Sequence, residues 1–330
     1  MDLALKYRPH IWQDVVGQPT VISILSRQVA TKSWKNAYLF CGCHGSGKTT
    51  TARIFADAVN NGQGQPIEID AASNNGVDNI RALIADAQQS AIDCDYKFYI
   101  LDEAHQLTRA AWDAALKLIE EPPLNSIFIF CTTNPEKIPD TILSRVQRFD
   151  FLRVQSDIIA NRLEYIMNEE LHSNYERVAL DRIASIAEGH VRDAIHLLGK
   201  CLDVSENITL DIVEATLGLV KYDSLAEIMS CLFKHNLEGA LSEFTKLKAY
   251  NTDMSRVYDE ITSIAIDCAI YAQTENLSYT NIPETYKVPL RGNKQITAFI
   301  VNRLMEFRKY LNSGNAETFL KTIFIEVCKE

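Results

Sequence analysis

Short apolar runs alternate with stretches of helical periodicity in the first half of the chain. Four runs rich in Val, Ile, Phe and Tyr have the length and composition of buried strands. They lie at residues 37–41, 66–70, 97–101 and 126–131. A loop and a predicted helix follow each run, the helices at residues 48–59, 77–91, 109–120 and 139–145. Buried strands separated by helices predict an α/β domain over residues 1–153, a parallel sheet with helices on both faces.

Beyond residue 153 the strand pattern fades, and apolar residues recur at helical spacing to the end of the chain. The helices predicted there lie at residues 156–171, 177–188, 191–202, 222–235, 237–249, 255–273 and 295–311. Prolines and a glycine between residues 276 and 293 indicate an irregular connection. We therefore expect a small helical domain at residues 154–218 and a larger one at residues 219–330.

Composition and charge narrow the class of protein. Of the 330 residues, 47% are hydrophobic and 23% are charged, which is typical of globular domains. The net charge of −10 argues against a general nucleic-acid coat, so DNA contacts would need local basic patches. No apolar run approaches the roughly 20 residues that span a bilayer, and the N-terminus lacks a signal-peptide pattern. Eight widely spread cysteines predict reduced thiols, and we expect a cytoplasmic protein with no membrane partner.

A glycine-rich segment fits the pattern G-x-x-x-x-G-K-[ST] between a predicted strand and a predicted helix. Its glycines allow backbone N–H groups to surround a phosphate, and the helix N-terminus adds partial positive charge. Lys48 would contact the β- and γ-phosphates, and the Thr49 hydroxyl would bind Mg²⁺. The residues predicted to hold nucleotide here are Gly42, His44, Gly45, Ser46, Gly47, Lys48, Thr49 and Thr50. The alternative is a turn that only joins strand to helix.

Two carboxylates, Asp102 and Glu103, follow the predicted strand at residues 97–101. Asp102 would hold the magnesium ion, and Glu103 would polarise a water for attack on the γ-phosphate. Adjacent carboxylates at the end of a buried strand are costly unless a cation neutralises them. A solvent-facing strand end is the alternative. Residues 102–105 also spell the DEAH box of a helicase class, but no second α/β motor domain follows residue 153.

Further motifs occur in a fixed order along the chain. They are KYRP at residues 6–9, DVVGQ at 14–18, DAASNNGVDNIR at 70–81, EEPP at 120–123, TTN at 132–134, TILSR at 141–145 and GHVRDA at 189–194. With the phosphate loop and the acidic pair, they resemble the AAA+ clamp loaders, and among these the gamma/tau family of bacterial DNA polymerase III. The resemblance is close over the first 200 residues and extends to the remainder only in helical character.

The resemblance implies an AAA+ nucleotide-binding domain at residues 1–153, a helical lid at 154–218 and a helical collar at 219–330. It implies that Thr133 is a first sensor of the γ-phosphate or the attacking water, and that Arg192 is a second sensor. Arg145 resembles the arginine finger, which acts on nucleotide held by a neighbouring subunit. Surface ion pairs are the alternative for both arginines. The residues implied to line the adenine pocket are Tyr7, Arg8, Pro9, Val15, Val16 and Gly17.

The family's activity implies ATP hydrolysis with Mg²⁺, coupled to opening a sliding clamp and placing it on primed template DNA. The implied partners are other loader subunits in an assembly of five, the clamp and primed DNA, with the replicative polymerase a further candidate. The family's zinc ribbon is replaced by residues 61–65, without Cys or His, so we expect no zinc. We also expect no polymerase-binding tail. We expect such a compact, zinc-free member in a bacterial virus or in a divergent lineage.

The resemblance also directs attention to residues that could contact the DNA backbone at helix N-termini. The residues we nominate are Asn74, Asn75, Thr108 and Arg109, for which capping and solvation are the alternative. Two other functions stay open: a stator-like loader subunit that binds its partners without turnover, and another AAA+ DNA motor. The stator is disfavoured because such subunits have typically lost the phosphate-loop lysine or the acidic pair, and this chain retains both.

Overall fold

The computed structural model describes residues 2–89, 93–170, 174–249, 253–280, 282, 286–311 and 314–329. The chain divides into two compact units, Met1–Asn207 and Ile208–Glu330. The first unit contains the sheet and the second is helical. The boundary between the units lies within the predicted lid at residues 154–218, and the division into three domains at residues 1–153, 154–218 and 219–330 stays a prediction.

Five parallel strands form the sheet of the first unit, in the order β2-β3-β4-β1-β5. The strands are β1 (Ala37–Gly42), β2 (Ile67–Asp70), β3 (Lys97–Asp102), β4 (Ser126–Thr132) and β5 (Gln147–Phe151). Every residue of β4 is buried, because helices cover both faces of the sheet at its centre. Parallel strands end at the same edge, so the carboxyl ends of β3, β4 and β1 lie side by side.

The first unit contains nine α-helices within the described residues. They are α1 (Leu3–Lys6), α2 (Pro19–Thr31), α3 (Lys48–Val59), α4 (Val77–Ala87), α5 (Arg109–Glu120), α6 (Asp140–Leu143), α7 (Ser156–Glu170), α8 (Arg177–Ile186) and α9 (Val191–Leu202). Of these, α2 to α5 pack on the two faces of the sheet, as the sequence predicts. On one face α2 and α3 pack against Tyr38 and Phe40 of β1. On the other, α4 and α5 pack against Leu39 of β1 and against Phe128 and Phe130 of β4. Successive side chains of a strand point to opposite faces of the sheet, so Leu39 contacts one layer of helices and Tyr38 and Phe40 contact the other.

Two strands differ from the prediction. The segment at residues 66–70 was expected to be buried, but β2 is an edge strand in which Ile67 is 40% exposed. The other edge strand, β5, is not predicted at all. Its polar residues Arg148 and Asp150 pair on the exposed face, whereas only Phe149 and Phe151 face the core. A strand with one solvated face lacks the continuous apolar run by which buried strands are recognised.

Of the helices predicted over residues 1–153, two are shorter in the structure. The single turn α6 replaces the helix expected at residues 139–145, with Pro139 as its N-cap. Helix α4 ends at Ala87, and the last part of the helix expected at residues 77–91 lies partly outside the described residues.

The second unit consists of helices around one apolar core. Within the described residues they are α10 (Leu210–Leu217), α11 (Tyr222–Phe233), α12 (Leu237–Ala249), α13 (Met254–Thr274), α14 (Lys294–Arg308) and α15 (Ala316–Lys329). The longest, α13, contributes Tyr258 and Ile261 to this core, and the Tyr258 hydroxyl donates to the backbone oxygen of Leu304. The all-helical prediction beyond residue 153 is confirmed for these segments.

None of the described helices combines the length and apolar character needed to cross a bilayer. All eight cysteines are present as free thiols, and five of them are buried. Burial raises the pKa of the Cys41 thiol to about 11, so this side chain next to the phosphate loop stays protonated at neutral pH.

Candidate nucleotide-binding site

A cleft of about 1040 Å³, including its open mouth, lies at the carboxyl edge of the sheet in the first unit. Most residues predicted to bind nucleotide line it: Tyr7, Arg8, Pro9, Val15, Val16, His44, Gly45, Ser46, Gly47, Lys48, Thr49, Thr50, Asp102, Glu103 and Arg192. Further lining residues that the sequence did not indicate are Ala4, Leu5, Arg162, Val191 and Ile195. The structure thus joins segments far apart in sequence around one cavity.

The phosphate loop is a compact turn that opens helix α3. The Lys48 ammonium donates to the backbone oxygens of Gly42, at 2.8 Å, and Cys43, at 2.9 Å. The Ser46 hydroxyl also donates to Cys43, at 2.8 Å. Gly45 has φ +66, and a Cβ there would lie 3.2 Å from the Cβ of Arg192. The loop therefore holds a lysine and the first N–H groups of α3 at one place, which suits a phosphate.

A hydroxyl and a carboxylate meet beside this loop in a geometry that fits a magnesium ion. The Thr49 hydroxyl donates to Asp102 Oδ2 at 2.7 Å, and Asp102 Oδ1 accepts from the Glu103 backbone N–H at 3.0 Å. Mg²⁺ prefers oxygen ligands and is usually held by one or two protein groups together with phosphates and waters. Thr49 and Asp102 supply such a pair. In the described part of the chain, no group of three or more His, Cys, Asp or Glu side chains could hold a metal.

The Glu103 carboxylate is placed by three side chains. The Thr133 hydroxyl donates to its Oε2 at 3.1 Å, and His105 Nδ1 lies 3.2 Å from the same oxygen. His44 Nδ1, from the phosphate loop, lies 3.5 Å from Oε1. Glu103 itself has the left-handed φ of 49, which turns its side chain away from the direction of β3. A carboxylate held in this way can orient a water and take its proton.

His105, the last residue of the DEAH sequence, contacts Glu103 although the sequence analysis gave it no role. Its side chain is only 6% exposed, and its Nδ1 also lies 3.2 Å from the Thr132 hydroxyl at the end of β4. Its Nε2 lies 3.2 Å from the Gln106 amide nitrogen, which can only donate. The one sequence feature that could have indicated the contact with Glu103 is the position of His105, two residues further along the chain.

The N-terminal segment forms another wall of the cleft. Arg8 Nε donates to the Thr50 hydroxyl at 3.2 Å, and burial, followed by the charge of Arg53, lowers the pKa of the Arg8 guanidinium. Arg162 donates to the backbone oxygen of Tyr7 at 3.1 Å. The apolar lining on this side consists of Leu5, Val15, Val16 and Ile195. Gly17 and Gly42, which were predicted to bind nucleotide, do not line the cavity. An apolar wall next to a phosphate loop suits a nucleobase.

Arg192 and Arg145, the two arginines predicted to act on nucleotide, differ in their position relative to the cleft. Arg192, near the start of α9, lines the cleft, and its Nε lies 3.4 Å from His196 Nε2. Arg145 does not line the cleft and is 41% exposed. Its Nε donates to Glu120 Oε1 at 2.8 Å, and its NH1 donates to the backbone oxygen of Thr141 at 2.8 Å. Arg192 can thus reach a nucleotide of its own chain, whereas Arg145 faces outward.

The residues nominated for DNA contact are exposed and lie together. The Thr108 backbone N–H donates to the Asn75 backbone oxygen at 3.1 Å, and Thr108 Oγ1 accepts from Ala111 N as the N-cap of α5. The Asn74 amide donates to the backbone oxygen of Asp70 at 3.1 Å. Thr108 therefore caps helix α5, as the alternative to DNA contact predicts. Arg109, the next residue, is exposed. The DNA contact stays a prediction.

Comparison with known proteins finds relatives among the subunits of DNA polymerase III. The family described as DNA polymerase III, delta subunit, matches residues 67–155. The tau subunit of DNA polymerase III from Bacillus subtilis is 33% identical over 98% of this chain and 62% of its own length. The gamma subunit from Buchnera aphidicola is 34% identical over 79% of this chain and 76% of its own length. The gamma/tau subunit from Mycoplasma genitalium is 31% identical, and the match spans 54% of its length.

Solved structures give the same fold. The RuvB Holliday junction branch migration motor of Thermotoga maritima superimposes with a TM-score of 0.55 and 18% identity, over 68% of this chain and 79% of that one. Identity at that level shows the fold alone, and it confirms the predicted AAA+ architecture. The chain spans only about half to three fifths of the Mycoplasma and Bacillus relatives. Since the match to the Buchnera gamma subunit covers three quarters of that protein at 34% identity, the chain belongs to the DNA polymerase III gamma/tau family.

Proposed function

We propose that the chain is an ATP-hydrolysing subunit of a DNA replication clamp loader, which opens a sliding clamp and places it on primed template DNA. The observation that carries the proposal is the convergence of two hydrogen-bonded pairs at the phosphate loop. Thr49 bonds to Asp102 at 2.7 Å, and Thr133 bonds to Glu103 at 3.1 Å. One pair suits the metal ion of an ATP complex, and the other suits the attacking water.

Hydrolysis would use the chain's own groups in the following way. Lys48 would exchange its bonds to the loop carbonyls for the β- and γ-phosphate oxygens of ATP. Mg²⁺, held by Thr49 and Asp102, would neutralise charge on those phosphates. A water oxygen would attack the γ-phosphorus, its proton would pass to Glu103, and the bond to the bridging oxygen of ADP would break. Thr133 would hold Glu103 and the water in line.

The proposal also uses Arg145, which lies outside the cleft of its own chain. In an assembly, its guanidinium would reach ATP held by the adjacent subunit and stabilise charge that develops during phosphoryl transfer. Clamp and primed DNA would control hydrolysis by aligning one subunit's Arg145 with the next subunit's site. Such coupling requires other loader subunits, and we propose an assembly of five together with the clamp and primed DNA.

The other candidate functions are less favoured. A stator-like subunit would not need the complete set of Lys48, Thr49, Asp102 and Glu103, which here lie around one cleft. Another AAA+ DNA motor remains an outcome of the test, although the likeness to RuvB extends only to the fold.

The test is steady-state ATP turnover by the full chain with its loader partners and sliding clamp, on primed template or on blunt duplex. We expect selective stimulation by the primed junction. Lys48→Ala should abolish turnover, and Glu103→Gln should abolish hydrolysis while ATP binding is retained. Equal stimulation by both DNAs would indicate a different motor. Absence of turnover with wild-type protein would contradict the proposal and favour the stator.

A further inference from the structure

We propose that Glu120 is a positioning residue that fixes the direction of the Arg145 guanidinium for phosphate binding on a neighbouring subunit. This inference rests on the proposed function, because it takes Arg145 to act on ATP held by another chain. Glu120 is the last residue of α5, and Arg145 follows the single turn α6. The two side chains come from segments 25 residues apart in sequence.

The contacts of Arg145 define the plane of its guanidinium. Nε donates to Glu120 Oε1 at 2.8 Å, while NH1 donates to the backbone oxygen of Thr141 at 2.8 Å and to Ser144 Oγ at 3.1 Å. A guanidinium is planar, with five N–H groups in fixed directions. Once Nε and NH1 are bound, the direction of the two N–H bonds on NH2 is fixed as well. Glu120 and Thr141 thereby preorganise the remaining edge of the group for a ligand.

Glu120 lies where helix electrostatics disfavour an acid. The C-terminus of a helix carries partial negative charge, and α5 ends with Glu120 followed by the second carboxylate of Glu121. The cation of Arg145 offsets that unfavourable placement for Glu120. Both side chains are more than two fifths exposed, and exposed ion pairs contribute little to folding stability. A role in aligning Arg145 therefore explains this pair better than a role in folding.

The inference predicts which kinetic constant changes. Arg145 is proposed to stabilise charge that develops only in the transition state, so loss of Glu120 should leave the KM for ATP nearly unchanged. The turnover number should fall, because a freely rotating Arg145 is seldom in the direction that the transition state needs. Misplacement of a catalytic group typically costs roughly ten- to a hundredfold in rate.

The experiment measures kcat and KM for ATP in the full loader with clamp and primed DNA, for Glu120→Ala, Glu120→Gln and the matched control Glu121→Ala. We expect Glu120→Ala to lower kcat roughly tenfold or more at constant KM. Glu120→Gln keeps an oxygen acceptor for Nε and should recover part of the loss. Glu121→Ala, which removes the adjacent exposed carboxylate, should behave as wild type. Circular dichroism and thermal unfolding verify that each variant folds.

A double-mutant cycle with Arg145→Ala separates this inference from the proposed function. If Glu120 acts through Arg145, Glu120→Ala should have no further effect in the Arg145→Ala background. A fall in kcat with Arg145→Ala but not with Glu120→Ala would overturn the inference and leave the proposed function intact. An unchanged kcat with Arg145→Ala would overturn both the trans-acting role of Arg145 and the inference. Equal losses with Glu120→Ala and Glu121→Ala would also contradict the inference.

Discussion

Gln18 and Leu152 exchange two hydrogen bonds across 134 residues of sequence. The Gln18 amide nitrogen donates to the Leu152 backbone oxygen at 2.7 Å, and the Leu152 N–H donates to the Gln18 Oε1 at 3.1 Å. The same amide nitrogen lies 3.5 Å from the backbone oxygen of Ser46 in the phosphate loop. One buried side chain therefore joins the N-terminal segment, the residue after β5 and the phosphate loop.

Loss of the Gln18 amide should destabilise the first unit. Gln18→Met keeps the approximate volume but removes both hydrogen bonds to the partly buried Leu152 backbone, and two such bonds together contribute about 1–3 kcal/mol. We expect a decrease of that size in the free energy of unfolding, measured by denaturant titration of the full chain. Gln63→Met, at an exposed loop position, is the matched control and should have little effect. Equal unfolding free energies for the two variants would show that the amide bridge contributes nothing.

A substitution at Gly17 should show how closely the N-terminal segment packs against the residues that follow β5. It has φ +76, and a Cβ at this position would lie 2.6 Å from Val154 Cγ2. Gly17→Ala should destabilise the chain by roughly 2–4 kcal/mol, through backbone strain and overpacking together. In the double variant with Val154→Ala the two closest contacts, those with the Val154 methyl groups, are removed, so the two effects should be less than additive. Strict additivity of the two unfolding free energies would contradict the close contact.

The central elements of the fold could be predicted because their signals are local. Helices α3 and α5 coincide with the predicted residues 48–59 and 109–120. A glycine-rich loop precedes α3, whereas Thr108 caps α5 and Pro122 follows it. The edge strand β5 escaped prediction because Arg148 and Asp150 interrupt its apolar residues. Edge strands are specified by pairing with a neighbour, which no local pattern contains.

The motifs of the candidate site could be predicted from the sequence, but the side-chain contacts that hold the Glu103 carboxylate could not. The phosphate loop and the acidic pair have fixed spacing, so Lys48 and Asp102 could be named from sequence. The contacts of His105 and Thr133 with Glu103 depend on the left-handed backbone at Glu103 and on the pairing of β3 with β4. One depends on pairing between distant segments and the other on a local backbone conformation, and neither produces a periodic pattern in the sequence.

The Thr49 hydroxyl should lower the Mg²⁺ concentration that ATP turnover requires. Thr49→Val preserves the shape of the side chain but removes the hydroxyl that bonds to Asp102 at 2.7 Å. We expect the Mg²⁺ concentration for half-maximal ATP turnover to rise roughly tenfold or more. Thr49→Ser retains the hydroxyl and should stay close to wild type. If the valine and serine variants require the same Mg²⁺ concentration, the hydroxyl is not a metal ligand.

Arg109 should affect DNA binding, whereas its neighbour Thr108 should affect stability. Arg109→Ala removes an exposed cation at the N-terminus of α5 and should reduce the salt slope of primed-DNA binding by about one. Lys117→Ala, on the same helix two turns later, is the control and should leave that slope unchanged. Thr108→Ala removes a helix cap and should lower the unfolding free energy by about 1 kcal/mol. Identical salt slopes for wild type and Arg109→Ala would exclude a phosphate contact at this residue.

In the second unit, one ion pair should make stability depend on pH. Arg303 on α14 donates from Nε to Glu326 Oε2 at 2.7 Å and from NH2 to Oε1 at 2.6 Å. The hydrogen bonds from Arg303 lower the pKa of Glu326 in the folded chain. A lowered folded-state pKa means that the pair stabilises the fold above the unfolded-state value of about 4.3, and that this contribution is lost as the pH falls through the folded-state pKa.

Glu326→Gln should therefore lower the free energy of unfolding at pH 6 and have a smaller effect at pH 3, which lies below the unfolded-state pKa of about 4.3. Denaturant titrations of the full chain at pH 6, 4.5 and 3 measure this difference. Glu238→Gln removes a carboxylate from the first turn of α12 in the same unit and controls for the change in net charge. The two variants should differ most at pH 6 and converge toward pH 3. A constant difference between wild type and Glu326→Gln over this range would mean that the bidentate pair does not shift the titration of Glu326.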